Sequence, residues 1–197
     1  MLPAPMLNRL AAPLVWIDME MTGLDPRECT VLEIATVVTD AELEVLATGP
    51  HYVVHHDDEV LAAMSEWCIE HHGASGLTDA VRASTISLAQ AEADTLEFLR
   101  QHTEEGLSMV CGNSVDLDRR FIQAHMPRLD AFLHWQIIDV TTIKELARRW
   151  YPDAEAPPKA NTHRALDDIL ESIAELRYYR DHLFAPRDPQ GGPRADR

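Results

Sequence analysis

The chain has 197 residues, 46% of them hydrophobic, and a formal net charge of -16. So much apolar material supports one ordinary folded domain and excludes a disordered or coiled-coil chain. The charge argues against gripping long nucleic acid through many phosphates, but leaves open a short one held by metal ions and a few local groups.

The chain starts "MLPAPMLNRLAAP", where prolines interrupt the apolar run that a secretory signal needs, and no later run approaches the roughly 20 residues that cross a bilayer. A cytoplasmic location and no membrane partner are therefore expected. Cys29, Cys68 and Cys111 are scattered without paired ligand spacing, which predicts buried thiols in a reducing compartment. Residues 1–13 read as an N-terminal extension and 14–184 as one domain. The Pro-, Gly- and charge-rich residues 185–197 read as a flexible tail.

Leu14–Glu20, Val31–Thr39 and Val45–Val54 read as strands, joined by the turns "TGLDP" and "TDAEL" into an antiparallel meander. "DDEVLAAMSEWCIEHH" predicts one helix with acids at its start. "STISLAQAEADTLEFLRQH" predicts a longer one, with Ile86, Ala89, Ala93, Leu96 and Leu99 as its apolar stripe. A short strand at Met109–Gly112 leads into a helix over Val115–His125. The strand "IIDV" leads into the helix "TTIKELARRW", and a last helix spans His163–His182. Strands followed by alternating helices and strands predict an α/β fold, a mixed sheet flanked by helices.

On the first strand the odd positions Val15, Ile17, Met19 and Met21 are all apolar, whereas the even positions run Leu14, Trp16, Asp18, Glu20. Side chains two apart share a face, so two carboxylates project side by side from the end of an otherwise buried strand. Two readings follow: the strand reaches water there, or a hard divalent cation such as magnesium or manganese stabilises the pair. Further acids elsewhere decide between them.

In "CGNSVDLDRRF", Asp118 shares the inward side of Phe121 and Ile122, while Asp116 lies beside Arg119 and Arg120 as a surface ion-pair partner. Asn113 or Ser114 is placed to cap that helix. In "NTHRALDDILESIAEL", Asn161 or Thr162 is a plausible cap and Leu166, Ile169, Leu170 and Ile173 form the stripe. Asp168 lies beside small Ala165 and Ser172, which leave room next to its carboxylate. His163 precedes Asp168 by five residues, so it stands at the helix entrance, as a cap, a surface group or a base for an attacking water. Adjacent histidines on a strand face opposite ways, so the paired histidines do not suggest a second metal site, and His55, His56 and His71 read as surface residues. Arg148 and Arg149 read as a solvated helix face or a dimer contact.

Taken in order, "DME", "GNSVDLD" and "HRALDD" resemble the three motifs of the DEDDh superfamily, the ribonuclease-H-like 3′-to-5′ exonucleases. "WIDMEMTGLDP", "EIATVVTD", "ASGL", "DVTTIKELARRWYP" and "THRALDDILESIAELRYYR" extend the likeness to its oligoribonuclease family, over nearly everything from Leu14 to Phe184. The resemblance implies that Asp18, Glu20, Asp118 and Asp168 hold two magnesium or manganese ions and that His163 is the catalytic base. It also implies that Leu24 wedges against the terminal bases, Trp67 lines their pocket, His72 approaches substrate, and Ser114 contacts the far phosphate. For Trp67, burial on its own helix is the competing reading. A homodimer is implied too. Trp135 and Gln136 stand where the family usually has Tyr and Arg: Trp still stacks on a base, but Gln lacks the charge to pair with a terminal phosphate. Thr141 stands where Ser is common and keeps the hydroxyl. The implied activity is release of nucleoside 5′-monophosphates from short RNA, dinucleotides above all. The alternatives are a DEDDh exonuclease acting on longer DNA or RNA ends, and a non-catalytic nucleotide-binding module.

Overall fold

Alternation along β1 (Leu14–Met21) sends its two sets of side chains into two different cores. The computed structural model describes residues 11–154 and 164–184. β1 pairs antiparallel with β2 (Val31–Thr39), which pairs antiparallel with the edge strand β3 (Val45–Val53). On its other side β1 runs parallel to β4 (Val110–Gly112), itself parallel to β5 (Ile137–Asp139), giving a mixed sheet of order β3-β2-β1-β4-β5.

Val15, Ile17, Met19 and Met21 pack on one face with Leu96 and Leu99 of α4 (Leu88–Arg100), Phe121 and Ile122 of α5 (Asp116–His125), and Leu129 of α6 (Pro127–Phe132). The other face sets Trp16, Ala35 and Val37 against α7 (Val140–Trp150) and α8 (Ala165–His182). Trp16 is fully buried, and its indole N–H is satisfied by Thr39 Oγ1 at 3.0 Å. This is the expected helix-flanked mixed sheet. The proposed extension is described only from residue 11, and the proposed tail lies outside the described residues.

Local departures from expectation have physical causes. The helix expected over residues 57–72 is two, α1 (Asp58–Ala62) and α2 (Glu66–Ala74), because Ser65 takes an extended conformation and its hydroxyl accepts the Cys68 N–H at 3.2 Å. α3 (Leu77–Ala83) and α6 were not expected; Pro127 at the first position of α6 is a start signal the pattern contained. α4 begins at Leu88 behind the cap Ser87, and its buried stripe runs through Ala91, Glu92, Thr95, Leu96 and Leu99; Ala89 is exposed. On α8, Leu170 is exposed rather than part of the stripe. Cys68 and Cys111 are buried, but Cys29 is only half-buried.

Candidate active site

Parallel β1, β4 and β5 end at the same edge of the sheet, the side on which open α/β sheets form their clefts. β4 pairs with β1 only at Val15 and Trp16, so the β1 backbone beyond has no strand beside it there. The chain passes close as it leaves: a Cβ on Gly112 would lie 3.2 Å from the Ile17 carbonyl oxygen, tighter than most side chains tolerate. α5 then crosses the gap, and the Asp118 carboxylate accepts the Met19 N–H at 3.0 Å. On the other side β1 stays paired with β2 through both acids, with a register irregularity just past Glu20.

Asp18 and Glu20 meet Asp168 from the first turn of α8, and one oxygen from each of the three carboxylates lies within 4.8 Å of the others. Burial, and then Asp118, Asp168 and Glu20, raise the Asp18 pKa well above the carboxylate range. Glu20 is pushed up to about 8, by burial first and then by Asp168 and Glu33. Asp118 also rises to about 8, chiefly through burial, although its backbone hydrogen bonds act the other way. Buried hard oxygen donors, with Asp18 and Glu20 raised further by neighbouring acids, fit divalent metal ions. Asp18 and Glu20 are both partly buried, so the end of the strand does not lie open to water.

A cleft of about 470 Å³ opens beside Glu20, lined by Met21, Leu24, Trp67, His72 and Leu117. Leu24 is 75% exposed and Trp67 55%, so Trp67 is not buried by its own helix. Its ring stacks on His71 at 3.8 Å. His72 is buried behind the cleft; its Nε2–H donates to the Met21 carbonyl at 2.9 Å and its Nδ1 lies 3.9 Å from a Glu20 oxygen. Trp135 is 76% exposed and is not among the residues lining this cleft. His163, Asn161 and Thr162 lie outside the described residues.

Asn113 and Ser114 do not cap α5, whose start has no side-chain cap. Ser114 instead takes a left-handed backbone with φ 54°, and its N–H donates to Asp139 Oδ1 at 3.0 Å and Thr141 Oγ1 at 2.8 Å. Asp116 pairs with Arg120 at 3.2 Å, but Arg119 is buried and pairs with Asp130 at 2.7 Å. Arg148 and Arg149 are exposed and both pair with Glu145. His55 and His56 each donate to a backbone carbonyl, and His55 is exposed.

Glu33 was missed from the sequence. Fully buried on β2 opposite Glu20, it accepts from Arg164 at 2.6 Å, from His51 Nε2 at 2.7 Å and from the Ala165 N–H at 3.2 Å. It thereby docks the first turn of α8, which carries Asp168.

Residues 15–176 match the model of the exonuclease family (RNase_T). The chain is 55% identical over 172 residues to an oligoribonuclease of Marinobacter nauticus, covering 87% of this chain and 96% of that one. The chain belongs to the oligoribonuclease family of exonucleases. A probable oligoribonuclease of Dictyostelium discoideum is 54% identical over 180 residues, 91% of this chain and 95% of that one. A mitochondrial oligoribonuclease of Mus musculus is 53% identical over 177 residues, 89% and 75% of the two chains. Among solved structures, E. coli exonuclease I in its metal-free complex with single-stranded DNA is similar, with a TM-score of 0.66 at 15% identity. That match covers 87% of this chain and 40% of the larger one, and it shows a shared exonuclease fold.

Proposed function

We propose that the chain is a metal-dependent 3′-to-5′ exoribonuclease acting on RNAs of a few nucleotides, dinucleotides above all. The observation that carries this is the convergence of Asp18, Glu20 and Asp168 beside a cleft walled by exposed Leu24 and Trp67. Asp18, Glu20, Asp118 and Asp168 would hold two divalent ions, magnesium or manganese. When bound, the ions supply charge stabilisation to the phosphodiester and acidify water.

The chain's own groups do the rest. Leu24 wedges against the terminal bases, Trp67 stacks below them, and His72 supports the cleft behind Glu20. His163, one peptide from the anchored Arg164, accepts a proton from the attacking water, an effect of roughly 100- to 10,000-fold. The bond from phosphorus to the preceding 3′ oxygen breaks, and a nucleoside 5′-monophosphate leaves. Ser114 and Thr141 receive the phosphate at the far end. Exposure of Trp135 away from the cleft of its own chain supports stacking on substrate across a homodimer. Gln136 brings no charge to that contact. The free thiols suit a cytoplasmic location.

Initial rates on 5′-labelled RNAs of increasing length, with magnesium or manganese, test the reading. Fastest cleavage of dinucleotides to mononucleotides is expected. Equal or greater activity on long strands would identify a general DEDDh exonuclease, and no cleavage at any length a binding module.

A further inference from the structure

Behind Ser114 and Thr141 lies a polar network whose donor and acceptor roles are fixed by its far end. Ser172 Oγ donates its proton to the Asp168 carbonyl at 2.7 Å, so toward Asn113, 2.7 Å away, that oxygen acts as an acceptor. The buried Glu175 carboxylate accepts as well, from Asn113 Nδ2 at 3.2 Å and from the Tyr179 hydroxyl at 3.0 Å. The Asn113 amide therefore presents its NH2 to α8 and its carbonyl to α7. That carbonyl accepts the Thr141 hydroxyl proton at 3.2 Å. With its proton committed, Thr141 Oγ1 accepts from the Ser114 N–H at 2.8 Å and, in the 3.2 Å hydroxyl pair, from the Ser114 hydroxyl. Ser114 is thus the member of the pair with a movable proton, and it is the exposed one.

We infer that Asn113 is a specificity-setting positioning residue, which orients the Ser114–Thr141 pair so that the Ser114 hydroxyl turns outward as a donor to the 5′-terminal phosphate of a very short RNA. Through Ser172 it also ties that seat to the backbone of Asp168, fixing the span from the acid cluster to the end phosphate. The inference rests on the proposed short-substrate reading. Asn113 itself touches neither substrate nor metal.

The test compares three substrates, a dinucleotide with a 5′-phosphate, the same dinucleotide with a 5′-hydroxyl, and a pentanucleotide, on the wild-type chain, Asn113→Ala and Ser172→Ala. In Asn113→Ala, KM for the phosphorylated dinucleotide should rise about tenfold, the scale of one hydrogen bond to a charged group. kcat should hold, and the other two substrates should change less than about twofold on the same scale. Ser172→Ala, which removes one of the two acceptors that hold the Asn113 NH2, should shift the same ratio in the same direction by less, and it carries the test if Asn113→Ala does not fold. An equal loss on all three substrates, or none, overturns the inference while leaving the short-substrate reading intact. A wild-type chain that does not favour the phosphorylated dinucleotide over the pentanucleotide overturns that reading, and the inference with it.

Discussion

Two sets of buried carboxylates behave in opposite ways. Glu33, Glu92 and Glu175 are each met by protein donors: Glu33 by the Arg164 fork and His51, Glu92 by the Arg128 and Leu129 N–H groups at 2.7 and 3.1 Å, Glu175 by Asn113 and Tyr179. The strongest influences on Asp18, after burial, are other carboxylates, and Glu20 faces Asp168, Glu33 and Asp118. The contrast teaches that acidity in a core is not a metal signal by itself. What marks the cleft is acids gathered on acids, where a bound cation is the missing opposite charge.

The sharpest way to break this comparison is Asp18→Asn. If the cleft acids exist for cations, cleavage of a labelled dinucleotide in magnesium should fall by about a thousandfold or more. Thermal melting of the metal-free variant should match or exceed that of the wild type, because a repelling charge is gone. A fully active variant would refute the metal assignment.

His163→Ala separates proton transfer from metal holding. Rates should drop roughly 100- to 10,000-fold, while calorimetry should show unchanged magnesium or manganese affinity. Weakened metal binding would instead make His163 a ligand.

Glu33→Ala probes the other set, and its effect should appear in stability. Removing one partner from a buried ion pair costs about 3 to 5 kcal/mol. The low end is expected, because the Arg164 and His51 side chains are 33% and 31% exposed and recover some hydration. A fall in Tm of roughly 6 to 12 °C follows for a domain of this size. A loss of activity with no loss of stability would place Glu33 with the cleft acids.

Those two sets were unequally legible in the sequence. Asp18 and Glu20 showed because alternation made them the two exceptions on an apolar strand, and Asp168 because small Ala165 and Ser172 flank it on a helix. Glu33 sits in "VLEIATVVT" and its Arg164 partner lies 131 residues away, so nothing local distinguishes it from a surface residue on a strand. Glu92 hid for the same reason: it serves the start of a helix 36 residues on, and it lies on the buried face of α4, which leaves Ala89 outside. Periodicity reports which face is apolar, but a polar group matched by a distant donor is indistinguishable from one matched by water. The polarity of Asn113 belongs to the same class, being set by α8 side chains 59 and 62 residues further along.

The smallest expected effect is a pH dependence that the two sets should give opposite signs. Glu20 and Asp118 have folded pKa values of about 8, above the ordinary carboxylate range, so between about pH 4.5 and pH 8 the folded chain binds more protons than the unfolded one. Stability of the metal-free protein therefore falls as pH rises through that window. Glu33 is held below its ordinary value, the hydrogen bonds from His51 and Arg164 outweighing its burial, so its contribution is present above about pH 4.5 and lost below it. The Tm of the metal-free protein should be lower at pH 8 than at pH 5, by at least the roughly 2 to 4 °C that about 1 kcal/mol gives in a domain of this size. Saturating magnesium should restore more of it at pH 8 than at pH 5, because protons compete with the cation for the same oxygens. In Asp18→Asn both the slope and the magnesium gain should shrink. A metal-free Tm that rises across this window would mean that the cleft acids are compensated within the protein as Glu33 is, and the distinction between the two sets would be lost.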